Sequence, residues 1–135
     1  GRGTDFPFTV VGAPMYKGIY DFSYTPVSMP GRAENPLYQD QVCYGLDLRG
    51  IDFEELVQSK KLNLKWMIEL YAKSPNKPAF FERFHPQIGN IDFLAGVSAF
   101  KDQIRAGMTE DQIRKTWEPG IEKYKKMRKK YLLYN

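Results

Sequence analysis

Four acidic side chains are the first candidates for chemistry in this sequence: Glu54, Glu55, Glu82 and Asp92. A pair of carboxylates can cleave a glycosidic bond, with one acting as acid and the other as base or nucleophile. Glu54 and Glu55 equally suit the start of a helix, where the helix dipole favours negative charge, and Asp92 suits a helix cap. Because this structural explanation is the stronger one, the sequence leaves the catalytic residue unknown.

The single cysteine and the single histidine offer little further chemistry. One Cys cannot form a disulfide within the chain, and a zinc site would need carboxylates for its other ligands, so we expect no metal. Cys43 lies in an apolar run and is expected to be a buried small hydrophobe, and a nucleophilic pair of Cys43 with His85 has no other support. His85 lies between Phe84 and Pro86 in an aromatic loop, where it either bonds to the backbone or forms hydrogen bonds at the rim of a cleft.

Known cofactor motifs are also missing. The sequence has no P-loop, no dinucleotide-binding glycine motif and no nucleophile elbow, so we expect no cofactor. No stretch approaches the ~18–20 apolar residues of a membrane span.

Positive charge is concentrated at the end of the chain, where residues 101–135 hold ten basic and five acidic side chains. The basic stretch predicts a last helix with a solvated lysine face and an inward stripe formed by Ile121, Tyr124, Tyr131 and Leu132. The alternative is a surface for a polyanion or an acidic partner. Nucleic acid is disfavoured, because the first hundred residues are near neutral and lack a recognition motif.

The secondary structure expected to position these residues changes from short strands to helices after Gly50. Five prolines in the first 40 residues exclude a long helix, and short strands are expected at residues 8–11, 20–27 and 41–48. Helices are expected at 53–57, from an Asn63 cap to Lys73, at 92–106, from a Thr109–Gln112 capping box to Trp117, and from Pro119 to Leu132. Strands followed by helices predict an α+β fold in which C-terminal helices cover a small sheet of short N-terminal strands.

Several short strings of the sequence occur together in a known family. They are Gly1-Arg2-Gly3-Thr4 with Pro7-Phe8 and Gly12-Ala13-Pro14, Phe22 to Pro26, Gln41-x-Cys43-x-Gly45, Ile91-Asp92-x-Leu94-x-Gly96, Ile104-x-x-Gly107, Trp117, and Arg128-x-x-Tyr131-Leu132-Leu133-Tyr134. In this order, and over the whole chain, they resemble the NamZ-type exo-β-N-acetylmuramidases. The sequence departs from the family at Met15, where an aromatic is common, and at Tyr44, where Gly is common.

The resemblance implies a bacterial protein about three times this length. Its N-terminal Rossmann-like domain and smaller C-terminal domain would enclose a cleft that releases terminal N-acetylmuramic acid from peptidoglycan fragments, in the periplasm or outside the cell. Residues 1–135 would then form one domain, the C-terminal one. The catalytic Glu would belong to the other domain, so we expect this chain alone to be inactive.

The resemblance also implies which residues here contact substrate. Arg2 would bind the lactyl carboxylate of muramic acid, since an Arg fork pairs with a carboxylate through two hydrogen bonds. Thr4 would bind sugar or orient Arg2. Apart from the resemblance, we add Tyr44 and the loop residue His85 to the predicted substrate-binding set. Two alternatives stay open: Arg2 forms an ion pair between domains, or the chain is a non-catalytic cell-wall or protein-binding module that uses its basic C-terminal helix.

Overall fold

The chain forms two compact units, Gly1–Glu82 and Arg83–Asn135. A computed structural model describes residues 1–82 and 91–134, so the predicted site residue His85 lies outside the described residues. Among the helices of these two ranges, none is long and apolar enough to cross a membrane.

The first unit is built on a three-stranded antiparallel sheet. Its strands are β1 (Val10–Ala13), β2 (Ser23–Tyr24) and β3 (Cys43–Asp47), and β3 lies in the centre of the order β1-β3-β2. The predicted start of the first strand at Phe8 is wrong. Phe8 has a φ of 67° and is 96% exposed, and this left-handed backbone cannot pair in a strand.

Helices follow the sheet in the first unit. Helix α1 (Phe53–Gln58) begins at Asp52, whose side chain accepts hydrogen bonds from two backbone N–H groups, and α2 is Lys65–Lys73. Residues Ala13, Tyr16 and Leu70 form a buried cluster that joins β1, the 3-10 turn Pro14–Tyr16 and α2, and Tyr44 and Leu46 of β3 pack against it. A helix packed on a small sheet confirms the α+β class.

The second unit, described from residue 91, is helical. It contains α3 (Ile91–Ala95), α4 (Ala99–Arg105), α5 (Glu110–Arg128) and a final 3-10 turn, Lys129–Tyr131. Its buried side chains are Phe100, Ile104 and Ile113, and the ring of Phe100 lies 6.3 Å from that of Trp117. The α4 and α5 helices are also joined by a 2.9 Å hydrogen bond from Gln103 to Thr116.

Two predicted helix boundaries in this unit are wrong. The single helix expected at 92–106 is divided because Gly96 adopts a φ of 71°, a left-handed conformation that ends α3. The break expected at Pro119 is absent, and α5 runs through it. Proline removes its own N–H and crowds the carbonyl four residues earlier, but its fixed φ is helical, and α5 continues on both sides of it.

Candidate functional site: the Gly1–Thr4 turn

The segment Gly1–Thr4 forms a tight turn closed by Thr4. The Thr4 backbone N–H donates to the Gly1 carbonyl at 3.2 Å, and the Thr4 hydroxyl donates to the same oxygen at 2.6 Å. That hydroxyl also accepts from the Phe6 N–H at 3.2 Å. Thr4 is only 9% exposed, so its side chain is a structural part of the turn.

The two glycines let the turn pack closely against its surroundings. Gly3 has a φ of 82°, and a Cβ atom placed there would lie 2.7 Å from the Pro36 side chain. Its carbonyl accepts a 2.8 Å hydrogen bond from the Val27 N–H. A Cβ at Gly1 would lie 2.6 Å from the Phe6 carbonyl oxygen. Side chains at positions 1 and 3 would therefore disrupt the turn.

Arg2 lies between these fixed glycines and is exposed. Within residues 1–82 and 91–134, no hydrogen bond or ion pair is found for its guanidinium group. A guanidinium presents donors in a planar fork that matches a carboxylate. The turn can therefore offer one cation to an anionic ligand from a backbone held by hydrogen bonds.

A second arginine, Arg49, is already paired with a carboxylate of this chain. Arg49 donates to both carboxylate oxygens of Asp47, at 2.8 and 2.6 Å, and its guanidinium carbon lies 4.5 Å from the ring centre of Phe6 and 5.4 Å from that of Phe22. The hydrogen bonds from Arg49 lower the pKa of Asp47 to about 2. Sequence reasoning missed this cluster, although an Asp-x-Arg string after a strand could have indicated it.

Tyr44 lies in the central strand rather than in the turn. Its backbone pairs with Ala13 on one side and Ser23 on the other, and its half-buried side chain packs against the core cluster. No hydrogen bond joins the Tyr44 hydroxyl to the turn in the part of the chain that the structure describes.

Four of the other candidates for chemistry have structural roles. Cys43 is 1% exposed, as expected for a small hydrophobe, and burial raises the pKa of its thiol. Glu54 and Glu55 lie in the first turn of α1, as predicted, and Asp92 forms an ion pair with Lys101. Among the described residues, no group of three or more His, Cys, Asp or Glu side chains could hold a metal ion.

Sequence reasoning also missed a polar cluster on α2. Glu69 accepts hydrogen bonds from Lys73 at 2.8 Å and from the Tyr20 hydroxyl at 3.1 Å, and the Lys73 ammonium lies 4.7 Å from the Tyr20 ring centre. The bond from Lys73 is the main reason that the pKa of Glu69 is lowered. The spacing of four residues between Glu69 and Lys73 was the available signal. This carboxylate stays ionised and joins Tyr20 to the helix.

The basic end of the chain differs from its prediction. Ile121, Tyr124, Tyr131 and Leu132, expected to point inward, are 45%, 55%, 68% and 44% exposed. The α5 helix extends past the residues of its own unit with which its first half packs, so these side chains are only partly buried.

Comparison with known proteins identifies the class. Residues 1–134 match the family model for the C-terminal part of the exo-β-N-acetylmuramidase NamZ, and the chain belongs to this family. It is 30% identical to the peptidoglycan β-N-acetylmuramidase NamZ of Bacillus subtilis (strain 168), over 99% of this chain and 33% of that protein. It also resembles the crystal structure of a DUF1343 family protein from Bacteroides fragilis NCTC 9343, with a TM-score of 0.80 and 34% identity over 100% of this chain and 36% of that one. The chain thus spans about a third of the length of each relative.

Proposed function

We propose that this chain is the C-terminal domain of an exo-acting peptidoglycan glycoside hydrolase that releases terminal N-acetylmuramic acid. The family match over residues 1–134 is the observation that carries the proposal. The remaining two-thirds of such a protein would include the Rossmann-like domain and the main catalytic Glu. The protein would act in the periplasm or outside the cell, where peptidoglycan is found.

Within this protein, the Gly1–Thr4 turn would complete the substrate cleft. Arg2 would bind the lactyl carboxylate, and its exposure and the absence of another anion partner among the described residues support this role. The Thr4 hydroxyl already bonds to Gly1 and Phe6, which supports an orienting role rather than direct sugar contact. Tyr44 and His85 remain proposed substrate contacts.

The test compares two substrates in the full-length protein. A charge-assisted hydrogen bond contributes about 1.5–3 kcal/mol, so Arg2→Ala should lower kcat/KM for a muramic acid substrate about 10- to 150-fold. With the lactyl group converted to an uncharged amide, wild type and variant should react at similar rates. Arg105→Ala, which removes an exposed α4 cation paired with Asp102, is the control and should leave both substrates unaffected. An unchanged preference for the carboxylate in Arg2→Ala would reject the role.

The isolated 135 residues provide a separate test of where catalysis lies. Since the proposed catalytic Glu is outside this chain, the isolated chain should release no muramic acid from peptidoglycan fragments. Adding the N-terminal domain should restore release. Activity of the isolated chain would contradict the proposal that the catalytic Glu lies outside it.

A second candidate function is a non-catalytic module that binds cell wall or another protein. The exposed basic stretch at positions 123–130, which holds six Lys and Arg in the end of α5 and the following 3-10 turn, favours it. This function requires saturable binding of the isolated chain to cell-wall fragments, weakened by salt because exposed charges are screened. Equal binding by a Lys123→Gln, Lys126→Gln, Lys130→Gln variant would exclude the basic stretch.

A further inference from the structure

The apolar face of α5 is packed in its first half and exposed in its second. Ile113, Trp117, Ile121 and Tyr124 are three or four residues apart and therefore lie on one face of the helix. Ile113 is fully buried and Trp117 contacts Phe100, but Ile121 and Tyr124 are 45% and 55% exposed. The same face continues through Met127, which is 46% exposed. This apolar face is therefore part of the unit's core at its start and exposed at its end.

The lengths of α4 and α5 explain why the apolar face of α5 is buried at first and exposed later. The α4 helix has seven residues and α5 has 19, so their lengths are roughly 10 and 28 Å at 1.5 Å per residue. The contacts between α4 and α5 lie in the first half of α5, at Thr116 and Trp117. The last two turns of α5 therefore extend beyond the helix that buries the first turns.

We propose that this exposed surface docks against the N-terminal part of the same protein. The surface, here called the α5 stripe, consists of Ile121, Tyr124, Met127, Tyr131 and Leu132. The inference rests on the two-domain organisation of the proposed function. Its occupant is the portion that corresponds to the roughly two-thirds of each relative that this chain does not match.

The size of the α5 stripe favours a tethered occupant over a second copy. With exposed fractions of 44–68%, its five side chains offer on the order of 500 Å², since a whole aromatic side chain accounts for about 150–250 Å². A stable interface between separate proteins buries about 800 Å² on each partner. A covalently linked domain is present at an effective concentration of about millimolar, so a smaller surface suffices.

Two lysines of α5 lie away from the stripe, whereas Arg128, four residues after Tyr124, lies on the stripe side of the helix. At about 100° per residue, Lys123 and Lys126 lie on the side of the helix away from Tyr124. These lysines can stay hydrated while the aromatic and aliphatic groups are buried. They also supply matched control positions on the same helix turns.

The experiment places a photo-cross-linker in the full-length protein. p-Benzoylphenylalanine replaces Tyr124, which keeps an aromatic ring at an exposed position, and a control protein carries it at Lys126. After irradiation, mass spectrometry should map the cross-link from position 124 to residues upstream of Gly1 in the same molecule, with at least a tenfold lower yield from position 126. A cross-link to residues 1–82, to a second copy, or at equal yield from both positions would overturn the proposal, as would no cross-link.

Muramidase activity of the same preparation separates the two proposals. Cross-linking without release of muramic acid would uphold the docking surface and reject the proposed function. Release of muramic acid without an upstream cross-link would uphold the proposed function and reject the docking surface. Hydrogen exchange gives a second readout: amides of residues 121–128 should exchange at least tenfold more slowly in the full-length protein than in the 135-residue chain, and equal rates would overturn docking.

Discussion

The Tyr16 hydroxyl satisfies a carbonyl that the end of α2 leaves without a helical partner. The Ser74 N–H, four residues after Leu70, donates to Tyr71 instead, so the Leu70 carbonyl needs another donor. Tyr16 supplies it through a 2.8 Å hydrogen bond from a side chain that is 2% exposed. Removing this hydroxyl should leave a buried carbonyl unbonded, at a cost of about 1–3 kcal/mol in unfolding free energy.

The assay is urea unfolding of Tyr16→Phe in a Trp117→Phe background. Trp66 is then the only tryptophan, and its fluorescence reports the first unit alone. With a urea slope of about 1–2 kcal/mol per M, the midpoint should fall by roughly 1 M. Tyr44→Phe is the control: it removes a hydroxyl of the same unit for which no hydrogen bond is found among the described residues. If Tyr16→Phe lowers the midpoint no more than Tyr44→Phe, the Tyr16 hydroxyl does not stabilise the end of α2.

Two further predictions concern the same unit. Burial raises the pKa of both Tyr16 and Tyr24 to about 12, so the unfolded chain, with tyrosine near 10, releases these protons first. The unfolding free energy should be unaffected by these groups below pH 10 and should fall between about pH 10 and 12. The fall should be shallower in Tyr24→Phe. Equal slopes of unfolding free energy against pH in wild type and Tyr24→Phe would contradict this prediction. Gly45→Ala should destabilise the sheet by about 2 kcal/mol or more, because its Cβ would collide with the backbone of β1, whereas Gly50→Ala meets no atom within 4 Å. Thermal unfolding checks this, and equal melting temperatures would contradict it.

Signals contained within a few residues were predictable from sequence. The Thr109 capping box is present with both of its hydrogen bonds, because Thr and Gln three residues apart satisfy each other's free N–H groups wherever the helix lies. The α2 helix ends at Lys73, as the Ser74-Pro75 string indicates. The burial of Cys43 followed from its apolar neighbours in the same way.

Features that depend on distant residues were not predictable. Gly96 and Pro119 each permit either a break or a continuous helix, and the residue type alone does not decide between them. The periodicity of α5 identified an apolar face, but whether that face is covered depends on the length of α4. The packing around Gly3 likewise depends on Val27 and Pro36, which are more than 20 residues away.

The construction of the Gly1–Thr4 turn limits where its proposed ligand contact can be altered. Gly1 and Gly3 have no room for a side chain, and the Thr4 hydroxyl is used twice within the backbone. Arg2 is the one position of the four whose side chain can vary without loss of these contacts. For protein engineering, a library at position 2 alone would vary the proposed ligand contact, while substitutions at its neighbours would mainly change stability.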